Sequence, residues 1–242
     1  MSASRAFPWT EEQLSQHLTK AVAAYWKGRG GQSKKQVKIG GKDIGTRSEV
    51  TGGQHLNGIL KLLCEVIRAT GFAEHEILLN IGMELPGYYR PQKKWDVVVI
   101  RDGRLYAAVE LKSQAGSFGN NFNNRSEEAI GNSTDFWTAY REGLLGIQEP
   151  WLGYFFLLEQ GPKSTKPVKL KKGCFPPMAV FEGTSYAERY AILCERLKLE
   201  RKYSRVALLL TPRGKTGEHH EPNPELNFHG FLSSLFRHLN NR

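Results

Sequence analysis

Cysteine is scarce in this sequence: Cys64, Cys174 and Cys194 are the only three among 242 residues. Their spacing does not match that of zinc-binding pairs, and an odd number does not make a disulfide framework. We therefore expect reduced thiols in a cytoplasmic protein, since disulfides persist mainly in oxidising compartments. The N-terminus has no apolar run of signal-peptide length, and no stretch approaches the ~20 apolar residues of a membrane span. These absences argue against a secreted disulfide scaffold and against a membrane partner.

The sequence also lacks internal repeats and a proline-rich linker, so we expect a single domain over residues 1–242. What it has in excess is positive charge, with a formal net charge of +10. A cationic surface favours a polyanionic partner, because each phosphate that it neutralises releases condensed counterions. Nucleic acid is therefore a candidate partner, although many basic proteins bind none.

Two helices are predicted in the first third of the chain. The first begins at Thr10, and its apolar residues recur at helical spacing: Leu14, Leu18, Ala21, Val22 and Tyr25. The second ends at Gly71 and has one apolar stripe: Leu56, Ile59, Leu60, Leu63 and Ile67. Between them, residues 28–53 are rich in glycine and basic residues. This composition indicates a flexible arm, either a solvated loop or a segment that wraps DNA, and the two can both hold if it orders on binding.

Over residues 76–211 the apolar residues no longer recur only at helical spacing, and strand-like runs appear. We predict that this region is the catalytic core. Residues 95–100 (WDVVVI) and 105–112 (LYAAVELK) are typical of strands, and Asp102-Gly103 between them favours a tight hairpin turn. Other elements are predicted from periodicity: a short strand at 76–81, a loop at 83–94, helices at 125–145, 185–199 and 226–239, and buried strands at 151–158 and 206–211. This order predicts an α/β fold, in which a mixed sheet has a central hairpin plus αβαβ units and helices on both faces.

The predicted hairpin brings three chemically active side chains together. Successive residues of a strand point to opposite faces, so Glu110 and Lys112 share one face with the small Ala108. Asp96 opens the partner strand and is folded back towards Glu110. Two carboxylates suit Mg²⁺, which keeps several waters and takes substrate phosphate as a further ligand. The metal can activate a water, and the lysine can orient that water or stabilise charge on phosphorus.

The Glu-x-Lys spacing alone is a weak signal, because Glu200-Arg201-Lys202 has it too. That second copy follows a helix, where positions two apart diverge, and no acid-bearing strand precedes it. The alternative interpretation of Glu110 and Lys112 is a solvated strand face with an ordinary ion pair. The combination of two strands, a tight turn and an acid on each strand is more restrictive. It favours a metal-dependent nuclease.

These residues also resemble a known family. Asp96 with Glu110-Leu111-Lys112 resembles the PD-(D/E)xK nuclease signature, and the stretch LPGYYRPQKKWDVVV…AAVELKSQAGSFGNNFNNRSEEAIG resembles the XhoI family of type II restriction endonucleases. The similarity is dense from about Leu85 to Gly146. Trp95 stands where the general signature has proline, which supplies no catalytic group.

The resemblance implies a restriction-endonuclease-like fold and Mg²⁺-dependent double-strand cleavage within CTCGAG, leaving 5′ overhangs. It implies Asp96 and Glu110 as metal ligands and Lys112 beside the attacking water, without an organic cofactor. A palindromic site implies a two-fold symmetric homodimer. Glu65 and Glu49 are candidates for a third acid, although acids on helices are usually just solvated.

The segment after Lys112 contains base-reading side chains. Asparagine can read adenine and arginine can read guanine, each by two hydrogen bonds. We expect DNA contacts from six residues: Lys93, Lys94, Asn120, Asn121, Asn123 and Arg125. Asn124, three residues before Glu127, is interpreted as a helix N-cap. Tyr88, Tyr89 and Phe122 can stack on DNA, although buried packing is the commoner role of aromatic side chains.

Two alternatives remain at this point. A PD-(D/E)xK repair or structure-selective nuclease would have the same chemistry without sequence readout, and the asparagine-rich segment argues against it. A non-enzymatic DNA-binding module would use the acids structurally. Incubation with plasmid and Mg²⁺ separates them, because only the sequence-specific nuclease yields discrete fragments.

The charge excess leads to a first prediction. We expect specific DNA binding to weaken steeply as salt concentration rises, since phosphate contacts release counterions on binding. Affinity measured over a salt series tests this prediction. A flat response would contradict a charge-dominated interface.

Overall fold

A computed structural model describes residues 5–38, 55–79, 82–171, 173–214 and 216–241, with the backbone alone for residues 31–38. Its seven strands are β1 Ile77–Leu78, β2 Glu84–Pro86, β3 Gln92–Lys94, β4 Val97–Arg101, β5 Arg104–Gln114, β6 Trp151–Gln160 and β7 Arg205–Pro212. The helices are α1 Glu11–Lys38, α2 Asn57–Ala69, α3 Phe118–Arg141, α4 Pro162–Thr165, α5 Tyr186–Leu199 and α6 Phe228–Asn240. Short 3₁₀ turns lie at Glu74–Glu76, Ala179–Phe181 and Pro224–Leu226.

The central sheet has five strands in the order β1-β4-β5-β6-β7. β4 pairs antiparallel with both β1 and β5, whereas β5, β6 and β7 are mutually parallel. Parallel neighbours need a crossover connection, which α3 provides between β5 and β6, and α5 between β6 and β7. The predicted mixed sheet with helices on both faces is confirmed.

The β4–β5 hairpin has the turn that the sequence predicts. Asp102 and Gly103 both take positive φ, 52° and 70°, as a type I′ turn requires. The pairing runs from Val97 opposite Val109 to Arg101 opposite Arg104, with a register shift between Val99 and Ile100. The hairpin therefore fixes the start of β4 opposite the middle of β5.

Two hydrophobic layers cover the sheet, one on each face. Helices α1, α2 and α6 pack on the face that includes Val109 and Leu111. Helices α3 and α5 pack on the face that includes Ala108. Strand β6 is buried on both sides, with Phe155 in the first layer and Phe156 in the second. The alternation predicted for β5 is confirmed, and Glu110 faces the α3 layer.

Two regions that the sequence predicted to be loops are secondary structure at least in part. Residues 28–38 continue α1 and do not form the start of a flexible arm. A glycine lowers the stability of a helix by about 1 kcal/mol, which does not necessarily end the helix. The rest of the predicted arm, 39–53, lies outside the described residues. The predicted loop at 83–94 is a second hairpin, because β2 pairs with β3 from Glu84 opposite Lys94 to Pro86 opposite Gln92.

Helix α3 begins at Phe118, seven residues before the predicted start at Arg125. Phe118 stacks on Tyr186 and Phe122 packs edge-on against Tyr190, so contacts with α5 stabilise a first turn that asparagine disfavours. The helical spacing of apolar residues over 125–145 predicts that Ile130, Trp137, Tyr140 and Leu144 face inward. In the structure Ile130 and Leu144 are exposed, whereas Trp137 and Tyr140 are partly buried.

The remaining elements agree with the sequence predictions. Strands β6 and β7 and helices α2, α5 and α6 are close to their predicted positions, and Ser185 caps α5 through Glu188. All three cysteines are free, and burial raises the pKa of Cys64 to about 11, so that this thiol stays protonated. Among the described residues, no helix has the length and apolar character to cross a membrane.

Candidate active site

Glu110 is the centre of the candidate site. It lies in the middle of β5 and its side chain is 1% exposed. Two ammonium groups contact its Oε1 atom: Lys112 Nζ at 3.0 Å and Lys93 Nζ at 3.3 Å. Asn132 of α3 donates from Nδ2 to both carboxylate oxygens, at 3.0 and 2.9 Å. The carboxylate is therefore surrounded by donors and positive charge, as a buried anion requires.

Asp96 is fixed to β5 just before β4 begins. Its backbone N–H donates to Val109 O at 3.1 Å, and its Oδ2 atom accepts the Leu111 N–H at 2.7 Å. The side chain thus takes the place of a backbone acceptor next to Glu110. The structure brings the predicted residues Asp96, Glu110 and Lys112 together, and it places the small, buried Ala108 on the same face.

The two carboxyl groups have opposite electrostatic environments. Burial would raise the pKa of Glu110, but the charges of Lys93 and Lys112 and the Asn132 amide hold it below its usual value. Burial raises the pKa of Asp96, and the negative charge of Glu110 adds to this effect against the opposing Leu111 N–H. Glu110 is thus held as an anion. The ionisation of Asp96, by contrast, depends more on an additional cation beside it.

The two lysines also differ. Burial would lower the pKa of Lys112, but the Glu110 carboxylate beside it raises the pKa above its usual value. Burial lowers the pKa of Lys93 despite the same carboxylate, and its Nζ lies 4.0 Å from the centre of the Trp95 ring. Lys112 is partly exposed and can reach a substrate, whereas Lys93 is almost fully enclosed.

The donor chemistry of the site fits a hard divalent cation. The described part of the chain has no group of three or more His, Cys, Asp and Glu residues suited to a metal. A caged structural zinc site is therefore not found in that part. Magnesium is commonly held by one or two carboxylates, with waters and substrate phosphate as the other ligands. Asp96 and Glu110 provide such a pair.

A hydrogen-bond chain that sequence reasoning missed supports Glu110. Asn132 Oδ1 accepts from Arg90 Nη2 at 2.7 Å, and Arg90 Nε donates to Asp135 Oδ2 at 2.7 Å. Asn132 and Asp135 are three residues apart, so they lie on one face of α3. Their spacing could have suggested a shared face, but polar residues in a helix usually face solvent.

The predicted DNA-contacting residues occupy two places. Asn120 and Asn123 are exposed in the first turns of α3, where Asn121 and Arg125 are partly buried. Arg125 pairs with Glu128 at 2.6 Å. Lys94 is exposed on β3, but Lys93 is turned inward onto Glu110.

Asn124 is exposed inside α3, so its interpretation as an N-cap was wrong. Phe122 is packed, as expected, but Tyr88 and Tyr89 are exposed rather than buried. Glu65 is exposed on α2, which covers the sheet face opposite to Glu110. Glu49 lies outside the described residues.

Comparison with known proteins shows which family this chain is similar to. A family model described as restriction endonuclease XhoI matches residues 35–221. The chain is 43% identical over 208 residues to the type II restriction enzyme BstVI of Geobacillus stearothermophilus, covering 82% of this chain and 93% of the relative.

Two further relatives are also type II restriction enzymes. The chain is 43% identical over 197 residues to XhoI of Xanthomonas vasicola, covering 79% of this chain and 78% of the relative. It is 46% identical over 149 residues to AbrI of Azospirillum brasilense, covering 60% of this chain and 67% of the relative. No solved structure matches the chain significantly.

The support of Glu110 by Asn132 leads to a stability prediction. Asn132→Leu removes both N–H contacts to the carboxylate and the acceptor of Arg90. We expect the free energy of unfolding to fall by about 1–3 kcal/mol, because charged groups lose hydrogen-bond partners. Denaturant unfolding measures the difference. Asn57→Ala, at an exposed position on α2, is the control and should change it by less than about 0.5 kcal/mol. An unchanged value for Asn132→Leu would mean that these bonds contribute no net stability.

Proposed function

This chain belongs to the XhoI family of restriction endonucleases, and on that premise we propose that it cleaves both strands of DNA within CTCGAG, with Mg²⁺, leaving 5′ overhangs. The family makes the chain a type II site-specific deoxyribonuclease. The cleavage site and the overhang follow from the family resemblance. The observation that best supports the catalytic assignment is the convergence of Asp96, Glu110 and Lys112 on one face of the β4–β5 hairpin.

Asp96 and Glu110 are the proposed metal ligands. When bound, Mg²⁺ would polarise the scissile phosphoryl group and lower the pKa of a water molecule. Asn132 orients the Glu110 carboxylate, because its Nδ2 group donates to both carboxylate oxygens. Lys93, which is itself almost fully enclosed, adds a second positive charge beside Glu110. The protein thus holds its ligands in place before any substrate binds.

Lys112 is the proposed partner of the attacking water. Its Nζ lies 3.0 Å from Glu110 Oε1, and its side chain is 28% exposed. The ammonium can therefore contact both the carboxylate and a phosphate that approaches from solvent. There it can orient the water and stabilise the charge that develops on the phosphate oxygens.

The first turns of α3 are the proposed DNA reader, together with the phosphate contact Lys94. The helix starts four residues after β5 ends, so its exposed Asn120 and Asn123 follow the catalytic strand closely. These two residues are three apart and share a helix face, beside Asn121 and Arg125. Amide and guanidinium groups can read adenine and guanine edges in the major groove. A palindromic site further supports a homodimer with one active site for each strand.

Plasmid digestion tests the proposed function. We expect discrete fragments with Mg²⁺, no cleavage after chelation, and fragment ends that map to CTCGAG with 5′ overhangs. The expected result reflects metal-dependent hydrolysis combined with sequence readout. Discrete ends at another sequence would overturn only the site. Smeared products or selectivity for branched DNA would instead support a PD-(D/E)xK repair nuclease, and binding without cleavage would support a DNA-binding module.

Substitution of the two acids tests the catalytic assignment. Asp96→Ala and Glu110→Ala should each lower the cleavage rate by at least about 10³-fold, because a metal ligand is lost. Specific DNA binding should be largely retained, since neither acid is proposed to read bases. Glu200→Ala is a matched control, because Glu200-Arg201-Lys202 has the same spacing but Glu200 is exposed after α5. Near-normal cleavage by either acid variant would refute its assignment.

A further inference from the structure

The tip of the β2–β3 hairpin presents two aromatic rings to solvent. The side chains of Tyr88 and Tyr89 are 51% and 70% exposed, and their rings meet edge to face with centroids 4.9 Å apart. Phe175 is the other strongly exposed aromatic residue in the part of the chain that the structure describes. Adjacent exposed aromatic rings often mark a contact surface.

The backbone below these rings is held firmly. The buried Asp135 carboxylate accepts the N–H groups of Tyr88 and Tyr89, both at 2.8 Å. Burial would raise the pKa of Asp135, but these N–H groups and the Arg90 guanidinium lower it below its usual value. At Gly87, an added Cβ would lie 2.6 Å from Asp135 Oδ2 and 2.7 Å from Arg90 O. The tip is therefore built to fix the backbone while leaving the two rings free.

The same hairpin is joined to the catalytic carboxylate at two points. Arg90, next to the tyrosines, donates to Asn132, which donates to Glu110. Lys93, further along β3, contacts Glu110 directly. The tip is thus attached to the residues that surround the proposed reaction centre, so we expect a duplex bound for cleavage to pass close to it.

We propose that Tyr88 and Tyr89 contact the sugar–phosphate backbone of substrate DNA beside the scissile phosphate. The inference rests on the proposed catalytic role of Glu110. Tyrosine hydroxyl groups are common phosphate donors in protein–DNA complexes. Arg90 and Lys94 add positive charge to the same hairpin and are at least partly exposed, which matches a polyanionic partner. Because Asp135 fixes the tip in the free protein, DNA binding does not have to order it.

Chemical protection of the native protein tests the contact directly. Tyr88 and Tyr89 should be nitrated by tetranitromethane in the free protein and protected by a duplex containing the site that the native enzyme cleaves, mapped from its plasmid fragments. Mass spectrometry of peptides quantifies the modification, with Ca²⁺ in place of Mg²⁺ to prevent cleavage. Equal nitration with and without the duplex would overturn the proposal. Protection that depends on protein concentration in the absence of DNA would also overturn it, in favour of contact with a second copy.

Substitution measures what the contact contributes. Tyr88→Ala and Tyr89→Ala should each weaken binding of that duplex by about tenfold, the loss expected for a hydrogen bond to a charged group. The mapped cleavage site should not change, because backbone contacts position DNA without reading it. Ile147→Ala is the control, since Ile147 is fully exposed and precedes β6 at the end of the sheet remote from Lys112.

The two proposals fail in different ways. If the native protein yields no discrete fragments, the proposed function fails before the tyrosines are tested. If it yields them and both alanine variants bind the duplex as the native protein does, only the tyrosine contact is refuted. Unchanged thermal unfolding of the variants shows that any loss of binding is not a loss of fold.

Discussion

The burial of one carboxylate, that of Glu110, constrains this whole side of the molecule. An ionised carboxylate inside a protein needs opposite charge and hydrogen bonds, and removing one partner from a buried ion pair typically costs about 3–5 kcal/mol. Lys112 comes from the same strand, Lys93 from the β2–β3 hairpin and Asn132 from α3. Three separate elements must therefore be in register before Glu110 is stable as an anion.

This constraint explains why the two faces of the sheet differ. The layer formed by α1, α2 and α6 is mainly apolar and, among the described residues, contains no charged residue that is buried. The layer formed by α3 and α5 combines an apolar core with the buried polar residues Asn132 and Asp135. A helix that faces a charged group needs polar side chains on its inner surface. For the same reason, the inward face of α3 departs from the apolar periodicity by which its later turns were predicted.

The arrangement also joins the proposed reaction centre to the proposed substrate contacts. Strand β5 leads directly into α3, so the proposed reader at Asn120 and Asn123 follows the strand that carries Glu110 and Lys112. The β2–β3 hairpin reaches Glu110 through Lys93 and presents Tyr88 and Tyr89 at its tip. Both proposed DNA-contacting elements are thus anchored to rigid secondary structure around one carboxylate, which suits a site that must hold a phosphate in one position.

The sequence by itself determined the β4–β5 hairpin, the buried parallel strands and the shared face of Glu110 and Lys112. These features depend on period-two alternation and on turn residues, both of which act over a few neighbouring positions. Only the tertiary structure decided that Lys93 turns inward, that Asn132 supports Glu110 and that Asp135 holds Tyr88. Those contacts span 17, 22 and 47 positions. Their residues are polar ones that, judged locally, belong on the surface, so no periodic pattern marks them before the chain is folded.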